Sequence, residues 1–284
     1  MKLQNPSADL FVPDGLAMPE ALARATHVGV GAHQDDLEFM AFHGIEECFG
    51  KADQWFAGVT CTNGAGSPRA GIYAHLTDAE MQTVRRQEQR KAATIGRYAA
   101  MLQLDYSSAT LKDPQSRSLA SDLAAIFSVA KPKVVYTHNP ADKHDTHVAV
   151  VVAVVRALRE LPAADRPKRV LGCEVWRDLD WLCDQEKAVL DVSRRENLAA
   201  ALSGIFDSQI SGGKRYDVAV VGRRRANATF FESHGVDVAE QLTFAMDLTA
   251  AVENEGVDLL EHVLGTIDRF KQDVEKRLRA RLGR

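Results

Sequence analysis

The sequence is poor in cysteine: four in 284 residues, Cys48, Cys61, Cys173 and Cys183, far apart and with no C-x-x-C pair. That spacing excludes a disulfide framework and a thiolate zinc knot and leaves the four as buried small apolar residues. Long apolar runs are also lacking. No window approaches the roughly 18 uninterrupted apolar residues of a membrane span. The opening "MKLQNPSADLFVPDG" has no apolar core of signal-peptide length after its single lysine, so the expected address is cytoplasmic. Nor is there an excess of one charge. With 35 basic against 39 acidic residues the net charge is −4, which gives neither a nucleic-acid footprint nor a membrane-seeking polybasic balance. Fixed-period repeats and low-complexity linkers are absent too.

What is present is an ordinary globular composition, 45% hydrophobic, in a pattern of strands alternating with helices. After about 20 irregular residues, "THVGVGAH" reads as a buried strand. "DLEFMAFHGIEECFG" then shows helical apolar spacing ending on Gly50, and "QWFAGVTCT" is a second strand. The glycine- and proline-dense "NGAGSPRAG" is a loop that can act as a lid. Thr77 and Glu80 stand at capping-box spacing at the start of a long polar helix. "YAAMLQLDY", "KVVYTH" and "RVLGCEVW" read as further strands. "SLASDLAAIFSVA", "HVAVVVAVVRALREL" and "SRRENLAAALSGIFDSQI" read as helices, the second apolar all round and so deeply buried. "YDVAVVGRRRANATFF" is ambiguous between strand and helix. The expected fold is α/β, a Rossmann-like, mostly parallel sheet with helices on both faces. Residues 1–235 are expected to form the domain and residues 236–284 a helical C-terminal extension of it.

Two strand ends carry nearly all the clustered His and Asp. "AHQDDLE" follows the first strand, and "YTHNPADKHDTH" holds His138, Asp142, His144, Asp145 and His147 within ten residues. Ligands in open α/β sheets bind at the carboxyl ends of strands. His33 leaving the strand and Asp36 in the first helical turn can face one point, and a third ligand from the other strand end would complete a His-Asp-His catalytic zinc site. Such an ion acidifies a water and polarises a carbonyl, and a carboxylate held off the metal can take the proton. Asp35 is the candidate for that base. Either aspartate could instead cap the helix. His43, His75, His234 and His262 read as surface or hydrogen-bonded structural residues. Two separate clusters at two strand ends favour metal chemistry over capping.

Other chemistries use the same residue types. The H-x-D of "HQD" suits a mononuclear iron(II) oxygenase, although that motif usually sits in an all-β barrel. A metal-dependent phosphoesterase needs more bridging carboxylates than the sequence offers. A catalytically altered, metal-binding relic of the fold would have no physical need for the whole set.

The motifs carry a resemblance. "AHQDDLE" resembles the A-H-P-D-D-x-E signature of the LmbE-like (PIG-L) zinc-dependent N-acetylglucosamine deacetylases, and "HNPADKHDTH" resembles their second motif, which ends H-P-D-H. "TNGAG" looks like the family's T-N/D-G-x-x-G loop. "VRRQEQRKAATIG" is similar to its R-x-x-E-x-x-x-A-x-x-x-G helix through Arg85, Glu88, Ala92 and Gly96, and "FDSQI" is similar to its S-Q segment. The resemblance covers about residues 26 to 235. It implies a hydrolase that removes the acetyl group from an N-acetylglucosamine-type sugar or conjugate. His33, Asp36 and His147 would hold Zn2+, with iron(II) or another divalent ion able to take its place. Asp35 would be the general base, and His144 would stabilise the oxyanion and help the amine leave. Gln34 replaces the family's proline, and "HDTH" puts Thr146 where the family has aspartate. Asp142 is then expected to supply the charge partner of His144. Glu38 is expected to support the loop or a ligand, Arg69 to reach a hydroxyl or phosphate of the substrate, and "GRRR" at 222–225, which could receive an anionic group, to be an exposed helix face. The expected partner is a small acetylated amino sugar, with no nucleic acid and no membrane span, and the chain is expected to form a homo-oligomer.

Overall fold

A computed structural model describes all residues from Met1 to Arg284. Eight strands form one sheet: β1 (Asp9–Phe11), β2 (His27–Gly31), β3 (Phe56–Thr62), β4 (Ala100–Tyr106), β5 (Val134–His138), β6 (Arg169–Cys173), β7 (Lys187–Asp191) and β8 (Leu242–Asp247). Their order is β1-β4-β3-β2-β5-β6-β8-β7. The five central strands, β4 to β6, run parallel. Antiparallel pairings add β1 at one edge and the β8–β7 ribbon at the other. This is the mostly parallel α/β sheet expected from the alternation.

Alternate residues on each central strand feed two apolar cores, as the two-residue period of a strand requires. Val28, Val30, Leu102, Val135 and Val170 face one core, filled by the helices Ser118–Ala130 and Asp145–Arg159. Met101, Tyr136 and Leu171 face the other, where the helices Phe42–Cys48 and Glu196–Gly204 pack. The long polar helix is Asp78–Ile95, and Thr77 and Glu80 close the capping box read from the sequence.

Several local readings change. "DLEFMAFHGIEEC" is two helices, Asp36–Met40 and Phe42–Cys48, because Ala41 leaves helical geometry at φ −104° and ψ 16°. The ambiguous stretch is the helix Tyr216–Thr229. The segment after Gly235 is not helical throughout. Its first element is β8, buried between β6 and β7, and only then follow the helices Thr249–Glu253 and Leu259–Leu282. Cys48, Cys61 and Cys173 are buried as expected, whereas Cys183 is half-buried.

The strand order reverses at β2, whose neighbours β3 and β5 carry the chain in opposite directions across the sheet. The crevice at such a switch point is where α/β sheets bind ligands. His33 lies just beyond the end of β2, and His138 ends β5.

Candidate metal centre

Three donor atoms from the two strand ends converge. Asp36 Oδ2 stands 3.3 Å from His33 Nδ1 and 3.6 Å from His147 Nε2, and the two ring nitrogens are 3.2 Å apart. A tetrahedral ion with bonds of about 2.1 Å has edges of roughly 3.4 Å, so the triangle is the right size for one face of such a site. Its chemistry also fits. Nδ1 of His147 lies 3.1 Å from Asp142 Oδ2, a contact that puts the ring's proton there and leaves the Nε2 lone pair facing Asp36. Burial pushes His147 down to about 4, which keeps the ring in the neutral form a metal accepts. Burial alone would raise Asp36, but the facing rings of His147 and His138 hold it well below the usual carboxylate range.

His138 received no role from the sequence, yet it is fully buried and its ring stacks on His147 with centroids 3.7 Å apart. Its Nε2 is 3.3 Å from Asp36 Oδ2 but accepts the Ala32 N–H at 2.9 Å. With that lone pair engaged, His138 backs the His147 ring, although its ring also stands within a candidate donor group with Asp36 and His147, as His144 does with His33 and His147. The signal for His138 was its position as the last residue of a strand.

Asp35 does not cap the helix that follows it. Its backbone is left-handed, φ 90°, a conformation costing on the order of 1–3 kcal/mol outside glycine and kept only where neighbours impose it. The neighbours are on the helix Asp78–Ile95. Gln89 Oε1 accepts the Asp35 N–H at 3.2 Å, and Arg85 donates to Asp35 Oδ2 at 2.9 Å and to the Gln34 carbonyl. Arg85 also meets Glu88 Oε2 at 3.2 Å, and that carboxylate takes the Ser208 hydroxyl at 2.7 Å and the Ser208 N–H at 2.8 Å. The "R-x-x-E" helix and the "SQ" segment are thus one buried brace behind Asp35. Burial pushes the Asp35 carboxyl up to about 6, with Arg85 pulling the other way. Gly64 fits the same corner. At φ 77° it lies where a Cβ would stand 2.8 Å from Gln34 Oε1 and 3.0 Å from Arg85 Cβ.

The other expected residues separate. His144 stands beside the donors, its ring stacked on His147 at 4.5 Å and edge-on to His33 at 4.9 Å. Burial and the neighbouring His33 lower its pKa. The Asp142 side chain does not bond the His144 ring, although its charge favours the protonated form of His144 from a distance. The Asp142 side chain reaches His147 and accepts backbone N–H groups of Lys143, His144, Trp176 and Arg177, and His144 Nδ1 has no partner. Its five-residue offset on the turn into the helix Asp145–Arg159 sets that geometry. Glu38 turns away to accept from Tyr98 at 2.7 Å and Gln89 at 2.8 Å, and burial pushes it up to about 8. Arg69 does not line the cleft, because its guanidinium is held by the carbonyls of Ala65 and Leu76 and by Asp78.

A cavity of about 620 Å³ opens over the donors. The glycine-rich loop lines one side through Asn63, Gly64 and Pro68, and Trp176, Tyr216 and Arg223 line another. The arginine run is not an exposed face: Arg224 is 2% exposed and donates to the carbonyls of Glu38 and Phe39 at 3.2 and 2.9 Å, while Arg225 pairs on the surface with Glu196. Helical periodicity once Tyr216–Thr229 is known to be a helix would have separated Arg224 from Arg225.

Residues 28–158 match the family model of PIG-L, described as GlcNAc-PI de-N-acetylase. Among solved structures, the chain is similar to N,N'-diacetylchitobiose deacetylase from Pyrococcus horikoshii, with 17% identity and TM-score 0.59 over 81% of this chain and 87% of that one. It is similar to the 4-carboxy-2-hydroxymuconate hydratase of Pseudomonas putida, with 17% identity and TM-score 0.58 over 79% and 96% of the two chains. It is also similar to a deacetylase of the teicoplanin biosynthesis pathway, with 16% identity and TM-score 0.55 over 77% and 96%. At these identities the likeness is one of fold. No curated protein matches the chain. No helix is long and apolar enough to cross a membrane.

Proposed function

From the premise that residues 28–158 are a PIG-L domain, we propose that the protein is a metal-dependent amidohydrolase that removes the acetyl group from an N-acetylglucosamine-type sugar or conjugate. Fold does not select this reaction, since a hydratase shares it. The observation that carries the reading is the division of labour between adjacent aspartates. Asp36 is in the donor triangle, and Asp35 is turned off it by a left-handed backbone and held by Arg85. A lytic water needs both a Lewis acid and a separate base, and the pair supplies a place for each.

His33, Asp36 and His147 would hold zinc, or iron(II) or another divalent ion in its place. The ion supplies Lewis acidity, which makes a water more acidic and an acyl carbonyl more electrophilic. Asp35 takes one proton from the water as its oxygen bonds to the acyl carbon. His144, bordering the cavity, gives a proton to the departing nitrogen as the C–N bond breaks, and the proton on Asp35 restores it. The second proton of the water passes to the freed nitrogen, and the products are acetate and the protonated amine. Arg85 fixes the Asp35 carboxylate, and the loop carrying Gly64 walls the cavity beside it.

Acetate release from a panel of N-acetylglucosamine derivatives, by metal-loaded wild type and Asp35→Ala in parallel, tests the proposal. Release that falls by about a thousandfold in the variant with metal still bound is expected of a lost general base. Equal release by both proteins would remove Asp35 from the mechanism, and no release from any member would reject the deacetylase reading.

A further inference from the structure

Besides Arg85, which pairs with Asp35 and Glu88, four cations line the cavity: Lys112 at the end of the helix Ser108–Lys112, Lys214 just before the helix Tyr216–Thr229, and Arg223 and Arg224 on that helix. None of them is in an ion pair. Lys214 Nζ lies over the Trp176 ring, 5.2 Å from its centroid, and Arg223 gives one nitrogen to the Val175 carbonyl. Arg224 is the telling member. It is buried, touches only two carbonyls and the Phe42 ring, and leaves Nε without a partner. Burial pushes its guanidinium down to about 10.

The carboxylates on the cavity wall are otherwise engaged. Asp35 is held by Arg85 and Asp36 by the histidines. Glu174 accepts from Asn227, Phe244 and Leu179, and burial raises its pKa. Glu46 and Glu174 favour the charged form of Arg224 from a distance, but no carboxylate contacts it, and a buried cation with no direct ion pair is unfavourable unless something anionic comes to it. We infer that the substrate carries an anionic group, carboxylate or phosphate, that docks between Lys214 and the Arg223–Arg224 wall while its amide faces the donor triangle. This rests on the proposed deacetylase reading and names the class of its substrate.

Acetate release would be compared among N-acetylglucosamine, its 6-phosphate, its 1-phosphate and N-acetylmuramic acid, the last carrying a carboxylate. At least one anionic member should show a kcat/KM on the order of tenfold or more above the neutral sugar, as one added charge-assisted contact gives. Lys214→Gln and Arg223→Gln should raise KM for that member far more than for the neutral one. Equal kcat/KM across the panel would overturn the inference without touching the deacetylase reading. Calorimetry separates the two in the other direction. Glucosamine 6-phosphate binding more tightly than glucosamine, with the difference lost in the double variant, supports the anion site even if no acetate is released. Equal binding of the two overturns it.

A second, independent observation concerns the helix Leu259–Leu282. Val263, Thr266 and Phe270 turn toward the body, where Phe270 meets Trp181 and Arg269 meets Glu186. About a quarter-turn away, Leu260, Leu264, Ile267, Val274 and Leu278 form an exposed stripe at coiled-coil spacing, broken only at Lys271, with Leu282 one position past it, and every residue from Val274 on is exposed. The charge along this helix is polarised: after the capping Asp258, its first half holds Glu261 and Asp268 against Arg269, whereas its second half holds Lys271, Lys276, Arg277, Arg279 and Arg281 against Asp273 and Glu275, which pair with Arg277 and Arg279. We propose that this stripe pairs with the same helix of a second copy, antiparallel. That orientation sets Leu260 against Leu278 and Leu264 against Val274, with the acidic start facing the basic end, whereas a parallel pair would put the basic ends together.

Light scattering of the full chain should give twice the chain mass, and Leu264→Glu with Leu278→Glu should give the chain mass with unchanged circular dichroism. A monomeric wild type, or a variant that stays dimeric, would overturn the pairing. Oxidative cross-linking tests its direction. Leu260→Cys mixed with Leu278→Cys should link across the pair, and self-linking of Leu278→Cys alone would overturn the antiparallel arrangement.

Discussion

The Asp142 carboxylate and Nδ1 of His147 meet at 3.1 Å with both side chains fully out of solvent. A carboxylate in that position fixes the ring's tautomer and raises the basicity of the far nitrogen. Asp142→Asn keeps the shape and the acceptor for the surrounding N–H groups but removes the charge. The expected result is a divalent-metal affinity lower by about 10–100-fold, read by competition with a chelating dye, with little change in far-ultraviolet circular dichroism. An unchanged affinity would mean that His147 is not a ligand.

Arg85 is 1% exposed and is shared between Asp35 and Glu88. Its replacement by Met leaves a buried carboxylate facing an apolar chain, a change that costs about 3–5 kcal/mol. A fall in the unfolding midpoint on the order of 10 °C is expected. Glu88 keeps its two bonds to Ser208, so most of the damage falls on Asp35. Asp35→Asn in the Arg85→Met background should therefore recover part of the loss. A double variant as unstable as the sum of the singles would show that the two side chains do not share their energy.

Gly64 makes a sharper test of the corner they occupy. Gly64→Ala adds a methyl at positive φ with Gln34 Oε1 only 2.8 Å away. A loss of roughly 1–2 kcal/mol follows from the backbone alone. The methyl must also displace Gln34 or Arg85, so turnover is expected to fall more than stability explains. Full activity in a destabilised protein would show that the brace has no part in positioning Asp35.

The central strands and the convergence of two His/Asp clusters were legible because each rests on a local signal, while His147 was singled out by the family resemblance. β2, β3, β4, β5 and β6 are apolar runs bounded by turns, with His33 just past the end of β2, and Asp36 and His147 in the helices that follow β2 and β5. The edge strands were not. β1 is three residues long, and β7 and β8 hold their places through pairing with one another and with β6, which no periodicity records. The same distinction separates the site residues. The partner of Asp142 depended on how the chain turns between β5 and the next helix, and the burial of Arg224 on a helix whose neighbours come from residues 38 and 39. Long-range placement decided both.

Acid sensitivity should come in part from two histidines outside the cleft. His43 has its Nδ1 2.9 Å from the Tyr136 hydroxyl, and burial pushes its pKa from 6.5 down to about 4. Glu47, 4.0 Å from its Nε2, opposes that shift, and Arg194 reinforces it. His27, beside Cys48 and Thr26, is lowered to about 4 by burial as well. A base whose pKa is lower folded than unfolded gives the unfolded chain more protons between the two values. Stability is therefore fully present above about pH 6.5 and declines as pH falls toward 4, by up to about 3 kcal/mol for His43. His43→Gln retains a polar partner for Tyr136 and cannot titrate. Urea unfolding from pH 7 to pH 4 should show a shallower loss in the variant than in wild type, the difference approaching that amount, with His27 accounting for a similar remainder. Parallel curves would mean that His43 carries the same charge in the folded and unfolded chains.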